Sequence, residues 1–165
     1  MAFSKLATDF NGAYKVPEVE ISYRNQIKAS ERVKINSSED AYKLLMRTWD
    51  MKLIDLQEQF KLLLLDRNNS CIGVSTIGTG GITGCVADLR LAFAIALKTR
   101  AVGMILAHNH PSGNLKPSLN DKTLTWNFEK AGRYLDVTVV DHLVLTKEAY
   151  TSFADKGFMP PINKL

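Results

Sequence analysis

The sequence predicts one α/β domain, a mixed β-sheet flanked by helices, and three observations support that prediction. The length of 165 residues is close to that of one domain, and a chain of this size buries about 70% of the surface that it exposes when unfolded. Hydrophobic residues make up 45% of the chain and charged residues 23%, as in soluble globular proteins. From residue 60 onward, strand-like and helix-like segments alternate, which is the pattern of layered α/β domains.

The first third of the chain predicts one helix after a stretch without sustained periodicity. Residues 1–37 form an N-terminal extension, in which the alternating Val19, Ile21 and Tyr23 predict a short strand, and residues 38–165 form the domain itself. Ser37 and Ser38 precede two acidic residues, an arrangement that suits the positive end of a helix dipole. The helix is expected to end before residue 52. Its apolar residues recur at helical spacing: Ala41, Leu44, Leu45 and Trp49.

The rest of the chain predicts a sheet with helices between its strands. An apolar run followed by a polar turn predicts a hairpin between strands 60–65 and 71–77. Gly78, Gly80, Gly81 and Gly84 predict a flexible loop that completes neither of the glycine motifs that bind nucleotides. The remaining predicted elements are helices 86–98 and 119–131 and strands 101–107, 137–140 and 143–145.

Composition and charge exclude several classes of protein. No apolar stretch approaches the roughly 20 residues of a membrane helix, and the opening residues lack the apolar centre of a secretory signal, so we expect a cytoplasmic protein with no membrane partner. Cys71 and Cys85 are too few for a disulfide scaffold and form no C-x-x-C pair. The net charge is +4, and the excess basic residues are scattered, which gives direct nucleic-acid binding only weak support. The scattered basic residues include Lys61, Arg67, Arg90, Lys98, Arg100, Lys116, Lys122, Lys130 and Arg133.

The segment that carries chemistry begins at the end of the predicted strand 101–107. Side chains at positions i and i+2 of a strand point to the same face, so His108 and His110 can aim at one point. A Pro-Ser-Gly turn follows, and Asp121 then arrives in the first turn of the next helix, close to the two imidazoles. Two imidazoles and one carboxylate, with a fourth position open to water, form a known catalytic zinc arrangement. The same ligand set also admits other divalent ions.

A structural interpretation exists for part of the same segment. Ser118 and Asp121 are spaced as a capping box, so both residues could serve only to start a helix. Capping and metal binding do not exclude each other, because a carboxylate in the first helical turn is held rigidly. His142 is interpreted as structural, with a fourth metal contact or a hydrogen bond to a ligand as the alternatives.

The chain closely resembles the RadC branch of the JAB/MPN (JAMM) metalloprotease family over about residues 38–160. The pattern H-x-H-x(7)-S-x(2)-D is complete, and the strings HNHPSG, DHLVL and SFADKG extend the resemblance. The resemblance implies a cytidine-deaminase-like fold around a Zn²⁺ ion held by His108, His110 and Asp121. It also implies that Glu58, just before the first apolar strand, is the general acid and base, and that Ser118 stabilises the oxyanion.

Other enzyme classes fit less well, and the chain departs from its family in one respect. Zinc nucleobase deaminases require H-x-E and P-C-x-x-C, and zincin proteases require H-E-x-x-H, none of which occurs. The consecutive letters HNH do not match HNH nucleases, whose residues are dispersed. RadC-like proteins generally carry a helix-hairpin-helix-like module ahead of this domain. About forty residues precede it here, so we expect a short, stand-alone form without that module.

Two hypotheses follow from these observations. The first is a zinc-dependent hydrolase that cuts a peptide or isopeptide bond in a peptide or protein substrate. The second is a non-enzymatic accessory factor, associated with DNA repair or DNA metabolism, that keeps the metal site for stability or recruitment. The sequence favours the enzyme because Glu58 is retained, and it identifies neither the substrate nor the oligomeric state.

Overall fold

The structure is a computed structural model that describes residues 23–24, 26–81 and 84–161. The predicted strand at residues 19–23 therefore lies almost entirely outside the described residues. A single 3-10 turn, Ala29–Glu31, precedes the first α-helix. The elements, in chain order, are α1 (Ser38–Thr48), β1 (Gln59–Leu65), β2 (Cys71–Thr79), α2 (Leu89–Lys98), β3 (Gly103–Asn109), α3 (Leu119–Tyr134), β4 (Thr138–Leu145) and β5 (Tyr150–Ser152).

The five strands form one mixed sheet in the order β2-β1-β3-β4-β5. β1 pairs with β2 as the predicted hairpin, and it also pairs antiparallel with β3, with Phe60 opposite His108. β3 and β4 run parallel and are joined through α3, while β4 pairs antiparallel with β5. Every residue of β1 and β3 is buried, because strands at the centre of a sheet are covered on both faces.

Helices cover both faces of this sheet, which gives three layers. On one face, Phe60, Leu62 and Leu106 belong to a core cluster that includes Phe93 of α2 and Phe128 of α3. The opposite face packs against α1, as the alternation of side chains along a strand requires. Its core cluster contains Leu63, Leu65, Ile105 and Ala107 from the sheet and Ala41 and Leu45 from α1. The predicted mixed α/β class is thus confirmed.

Several predicted boundaries are wrong, each for a local reason. α2 begins at Leu89 and not at residue 86, because the Asp88 side chain accepts a hydrogen bond from the Arg90 N–H and caps the helix there. The two short strands predicted at 137–140 and 143–145 are one strand, β4, since buried Asp141 and His142 continue it. Gly78 lies within β2, where a side chain would meet the Val86 carbonyl oxygen at 2.5 Å.

β5 was not predicted, and its three residues form the edge of the sheet next to β4. In the part of the chain that the structure describes, no helix is long and apolar enough to span a membrane. The carboxyl end of β3 and the amino end of α3 meet at one end of the sheet, and the polar side chains of interest lie there.

Candidate metal centre

The end of β3 places His108 and His110 side by side. His108 is the sixth residue of β3 and is 4% exposed, and His110 follows the last residue of that strand. Their rings lie with centroids 4.8 Å apart, and their Nε2 atoms are 3.0 Å apart. The strand alternation that predicted a shared face for these two residues is therefore present.

A tight turn after β3 fixes the orientation of His110. The Gly113 N–H donates to the His110 carbonyl oxygen, and Gly113 has a φ of +78°, a conformation that glycine adopts without strain. The turn returns the Asn114 carbonyl oxygen to within 2.5 Å of His110 Nδ1. Because a carbonyl oxygen can only accept, His110 Nδ1 carries a proton, and in the neutral ring Nε2, which faces His108, is then the unprotonated nitrogen.

The first turn of α3 supplies Asp121. The predicted capping box is present: the Asp121 N–H donates to Ser118 Oγ at 3.1 Å, and the Ser118 N–H donates to Asp121 Oδ2 at 2.6 Å. Burial acts to raise the pKa of the Asp121 carboxyl, but the hydrogen bond and charge of a protonated His108, together with the hydrogen bonds from Ser118, outweigh burial and hold that pKa well below its ordinary value. Asp121 is therefore an ionised and rigidly placed candidate ligand.

The three side chains have the spacing that a metal ion requires. Among the described residues, one nitrogen from each of His108 and His110 and one oxygen of Asp121 lie within 4.8 Å of one another. Asp121 oxygens lie 3.2 Å from His108 Nε2 and 3.9 Å from His110 Nε2. A tetrahedral zinc ion with bonds of about 2.0–2.1 Å separates neighbouring ligand atoms by about 3.3 Å. The His-His-Asp group could hold such an ion, and its donor atoms suit zinc.

Glu58 lies at the same end of the sheet but outside this group. It directly precedes β1, and its backbone pairs with Gly80 and Gly81: the Gly80 N–H donates to the Glu58 carbonyl oxygen, and the Glu58 N–H donates to that of Gly81. Phe60, two residues later, lies opposite His108 and stacks on its ring at 6.2 Å. If the alternation of β1 continues to the residue before it, the Glu58 side chain is on the same face as Phe60.

The Glu58 carboxylate has no polar partner among the described residues. Glu58 is partly exposed, and its carboxylate makes no hydrogen bond or ion pair with any other described residue. Burial raises the pKa of the Cys85 thiol, and the negative charge of Glu58 adds a smaller effect in the same direction. Ser118, the other predicted catalytic residue, is exposed, and its Oγ accepts the capping hydrogen bond.

Asn109 is a polar residue of this site that sequence reasoning missed. It lies between the two histidines in the chain, is completely buried, and faces the other side of the sheet. Its Nδ2 donates to the Ile54 and Gln57 carbonyl oxygens at 2.6 and 2.8 Å, and its Oδ1 accepts from the Gln59 N–H at 2.7 Å. Asn109 thus ties the segment that carries Glu58 to β3. The sequence did contain a signal for Asn109, because it is a polar residue at the end of a mainly apolar strand.

His142 is closer to the site than a purely structural residue needs to be. It is completely buried in β4, and burial lowers the pKa of its imidazole well below the ordinary value. Its Nε2 lies 2.9 Å from His108 Nδ1, and its Nδ1 lies 2.7 Å from Thr125 Oγ1. It therefore contacts the nitrogen of His108 that faces away from His110 and Asp121. The interpretation of His142 as a fourth metal contact does not fit this position.

Comparison with known proteins gives one family. Residues 35–158 match the RadC-like JAB domain. The chain is 42% identical over 125 residues to a UPF0758 protein of Flavobacterium johnsoniae, a match that covers 75% of this chain and 53% of that relative. It is 33% identical over 132 residues to a UPF0758 protein of Listeria monocytogenes, covering 80% and 58%. The chain thus spans about half the length of the curated relatives that it matches.

Proposed function

The chain belongs to the RadC-like JAB domain family, and we propose that it is a zinc-dependent hydrolase that cuts peptide or isopeptide bonds. Some members of the JAB domain family are metalloproteases. The observation that carries the proposal is the convergence of His108, His110 and Asp121, whose ligand atoms lie within 4.8 Å of one another. A zinc ion held there would lower the pKa of a bound water to about 7, so that a nucleophile is available near neutral pH.

The side chains around the centre suit the remaining steps of hydrolysis. The Glu58 carboxylate, which has no partner among the described residues, would take a proton from the attacking water and return it to the leaving amine. Ser118 is exposed, and its hydroxyl proton is not used by the capping bond, in which Oγ accepts. That proton is available to the developing oxyanion, an interaction whose removal typically costs on the order of 10²–10³ in rate.

Metal content and hydrolysis, measured on the same preparations, test this proposal. Wild-type protein, His108→Ala and Glu58→Gln are dialysed against zinc, analysed for bound metal, and incubated with fluorescence-quenched peptides of mixed sequence. We expect zinc and hydrolysis in the wild type, neither in His108→Ala, and zinc without hydrolysis in Glu58→Gln. Wild-type protein that binds no zinc after reconstitution would overturn the proposal.

A second candidate function, binding of single-stranded nucleic acid, is favoured by the exposed surface of α3. Lys122, Trp126, Lys130 and Tyr134 follow one another at four-residue spacing, so they form one row along the helix. Trp126 is 49% exposed and Tyr134 is 76% exposed. Alternating cations and aromatic rings are what single-stranded nucleic-acid sites combine. The basic residues that look scattered along the sequence are thus partly gathered in the fold.

Salt dependence distinguishes this second function from nonspecific attraction. Binding of a fluorescein-labelled oligothymidine is measured by anisotropy at several salt concentrations for wild type, the double variant Lys122→Ala/Lys130→Ala, and the control Lys43→Ala on α1. We expect the double variant to weaken binding and to reduce the salt slope by about 1.4, or about 0.7 for each phosphate of the single strand that is no longer neutralised. Equal binding by all three proteins would exclude this surface.

A further inference from the structure

A continuous hydrogen-bond chain runs from the backbone of α3 to the outer nitrogen of His108. Thr125 Oγ1 donates to the Asp121 carbonyl oxygen at 2.7 Å and also lies 2.7 Å from His142 Nδ1. His142 Nε2 in turn lies 2.9 Å from His108 Nδ1. The chain therefore begins and ends at residues of the candidate metal centre, Asp121 and His108, and passes through two residues that have no ligand atom in it.

The chemistry of the end groups sets the direction of every bond in this chain. A carbonyl oxygen can only accept, so the single hydroxyl proton of Thr125 is used on Asp121. Thr125 Oγ1 must then accept from His142, whose Nδ1 carries the proton. A neutral imidazole has one N–H, so His142 Nε2 accepts, and His108 Nδ1 donates to it. The remaining nitrogen of His108, Nε2, has a free lone pair.

We infer that Thr125 and His142 are positioning residues that hold His108 in the Nδ1–H tautomer, so that its Nε2 lone pair points at the metal. Asp121 Oδ1 lies 3.2 Å from that nitrogen, and His110 Nε2 lies 3.0 Å from it. His110 reaches the same state by a separate route, through the Asn114 carbonyl oxygen. In their neutral forms, both imidazoles then present an Nε2 lone pair to the same point. This inference rests on the proposed metal centre.

The surroundings of His142 are apolar, and its hydrogen bond to His108 explains why a polar side chain occupies this position. His142 is completely buried, its ring stacks on Phe153 with centroids 4.7 Å apart, and it meets the edge of Phe60 at 5.7 Å. An apolar side chain would fill such a position at a lower desolvation cost. Thr125, 1% exposed, is likewise buried beside it. Hydrogen bonds to the outer nitrogen of a ligating histidine fix its tautomer and ring orientation, and removing one typically costs about 10–100-fold in metal affinity.

The tautomer can be observed directly, without a metal. The chain has three histidines, so ¹⁵N spectra of histidine-labelled, metal-free protein at about pH 8.5, well above the ordinary imidazole pKa of about 6.5, contain three rings. We expect His108 and His142 to carry their protons on Nδ1 in the wild type and in Thr125→Ser. In Thr125→Val, which keeps the shape but lacks the hydroxyl, both rings should show mixed tautomers. A wild-type His108 protonated on Nε2 would overturn the inference.

Zinc affinity, measured by competition with a chelator on the full chain, supplies the second readout. We expect Thr125→Val to bind zinc about 10–100-fold more weakly than the wild type, and Thr125→Ser to bind like the wild type. His142→Gln keeps an acceptor within reach of His108 and should lose less affinity than His142→Leu. Urea unfolding of each metal-free variant separates these effects from loss of the fold.

The outcomes separate this inference from the proposed function. Equal zinc affinity in folded Thr125→Val and Thr125→Ser would overturn the inference while leaving the metal centre in place. A wild-type protein with the expected tautomers that binds no zinc would instead overturn the proposed function and support the hydrogen-bond chain. Zinc binding together with a tenfold or greater difference between the two threonine variants supports both.

Discussion

Asn109, which lies between His108 and His110 in the chain, links the candidate metal centre to the segment around Glu58 through hydrogen bonds of its side chain. Its three hydrogen bonds, to Ile54, Gln57 and Gln59, bracket Glu58 on both sides along the chain. We expect Asn109→Ala to abolish most peptide hydrolysis, because Glu58 is released, while zinc affinity changes little. Buried backbone groups left without partners should also lower the free energy of unfolding by about 1–3 kcal/mol.

Asp66→Ala is the matched control for Asn109→Ala. Asp66 Oδ1 accepts from the Asn68 and Ser70 N–H groups in the turn at the opposite end of β1, so this substitution removes comparable hydrogen bonds far from the metal centre. Urea unfolding, zinc competition and peptide hydrolysis are measured on both variants. If Asp66→Ala and Asn109→Ala lost hydrolysis to the same degree, general destabilisation would explain the result, and Asn109 would have no positioning role.

The raised pKa of Asp141 predicts a pH dependence of stability that is opposite in sign to that of an aspartate with a lowered pKa. Burial, the largest effect, raises its pKa above the ordinary 3.8, despite hydrogen bonds from Ser152 and from the Ala154 and His142 N–H groups. The unfolded chain therefore ionises first as pH rises, and stability falls from about pH 3.8 up through the raised pKa. Asp141→Asn should remove this decline, because an asparagine side chain does not ionise. Its amide oxygen can still accept both N–H groups, so the local hydrogen bonds are kept.

Unfolding free energies at a series of pH values check the sign. The difference between Asp141→Asn and wild type should grow as pH rises from 3.8. Asp66 is the control with the opposite sign: although burial raises its pKa, hydrogen bonds from Ser70, Asn68 and Arg32 bring that pKa below 3.8. The stability that ionised Asp66 contributes is lost as pH falls, so Asp66→Asn should lose most near neutral pH. A constant difference for Asp141→Asn across this range would contradict the argument.

At the scale of elements, α1 and α3 are both capped by a serine side chain, but the two helices have different roles. Ser37 caps α1 by accepting from the Asp40 N–H at 3.2 Å, and Ser118 caps α3 by accepting from the Asp121 N–H at 3.1 Å. Replacing either serine by alanine should lower the free energy of unfolding by about 1 kcal/mol. Only α3 carries a candidate metal ligand, so the two substitutions should differ in their effect on catalysis.

Hydrolysis rates of Ser37→Ala and Ser118→Ala separate capping from catalysis. We expect the rate to be unchanged in Ser37→Ala and to fall on the order of 10²–10³-fold in Ser118→Ala, the typical cost of one oxyanion donor. Ser118→Thr, which keeps the hydroxyl, should retain most activity. A rate decrease in Ser118→Ala that merely tracks its zinc affinity would assign Ser118 to helix capping alone.

At the scale of the whole molecule, the sequence predicts the fold class and the cluster of ligands better than it predicts boundaries. His108 and His110 follow from strand alternation, and Ser118 and Asp121 from the helix start, because both signals are local. His142 and Thr125 come together across β4 and α3, seventeen residues apart in the chain, and no periodicity reports such a contact. β5 is likewise only three residues long and depends on its neighbour β4.

An ion bound at the candidate metal centre should also stabilise the whole fold, because it would add a direct connection between the sheet and α3. His108 belongs to β3 and Asp121 to α3, so an ion bound to both would connect the sheet to a helix. Zinc at 100 times its dissociation constant would stabilise the folded state by about 2.7 kcal/mol. For a chain of this size that raises the Tm by about 5–11 °C.

Thermal unfolding with and without zinc tests this linkage in three proteins. We expect the full shift in the wild type and in Glu58→Gln, because Glu58 lies outside the His-His-Asp group. We expect no shift in His110→Ala, which lacks one ligand. Cys71 and Cys85 are free thiols and would be the alternative zinc ligands, so a shift that persists in His110→Ala but disappears in Cys71→Ser or Cys85→Ser would move the bound ion away from the end of β3. The linkage therefore locates the metal as well as detecting it, since only an ion that binds at this end of the sheet can lose its stabilising effect together with His110.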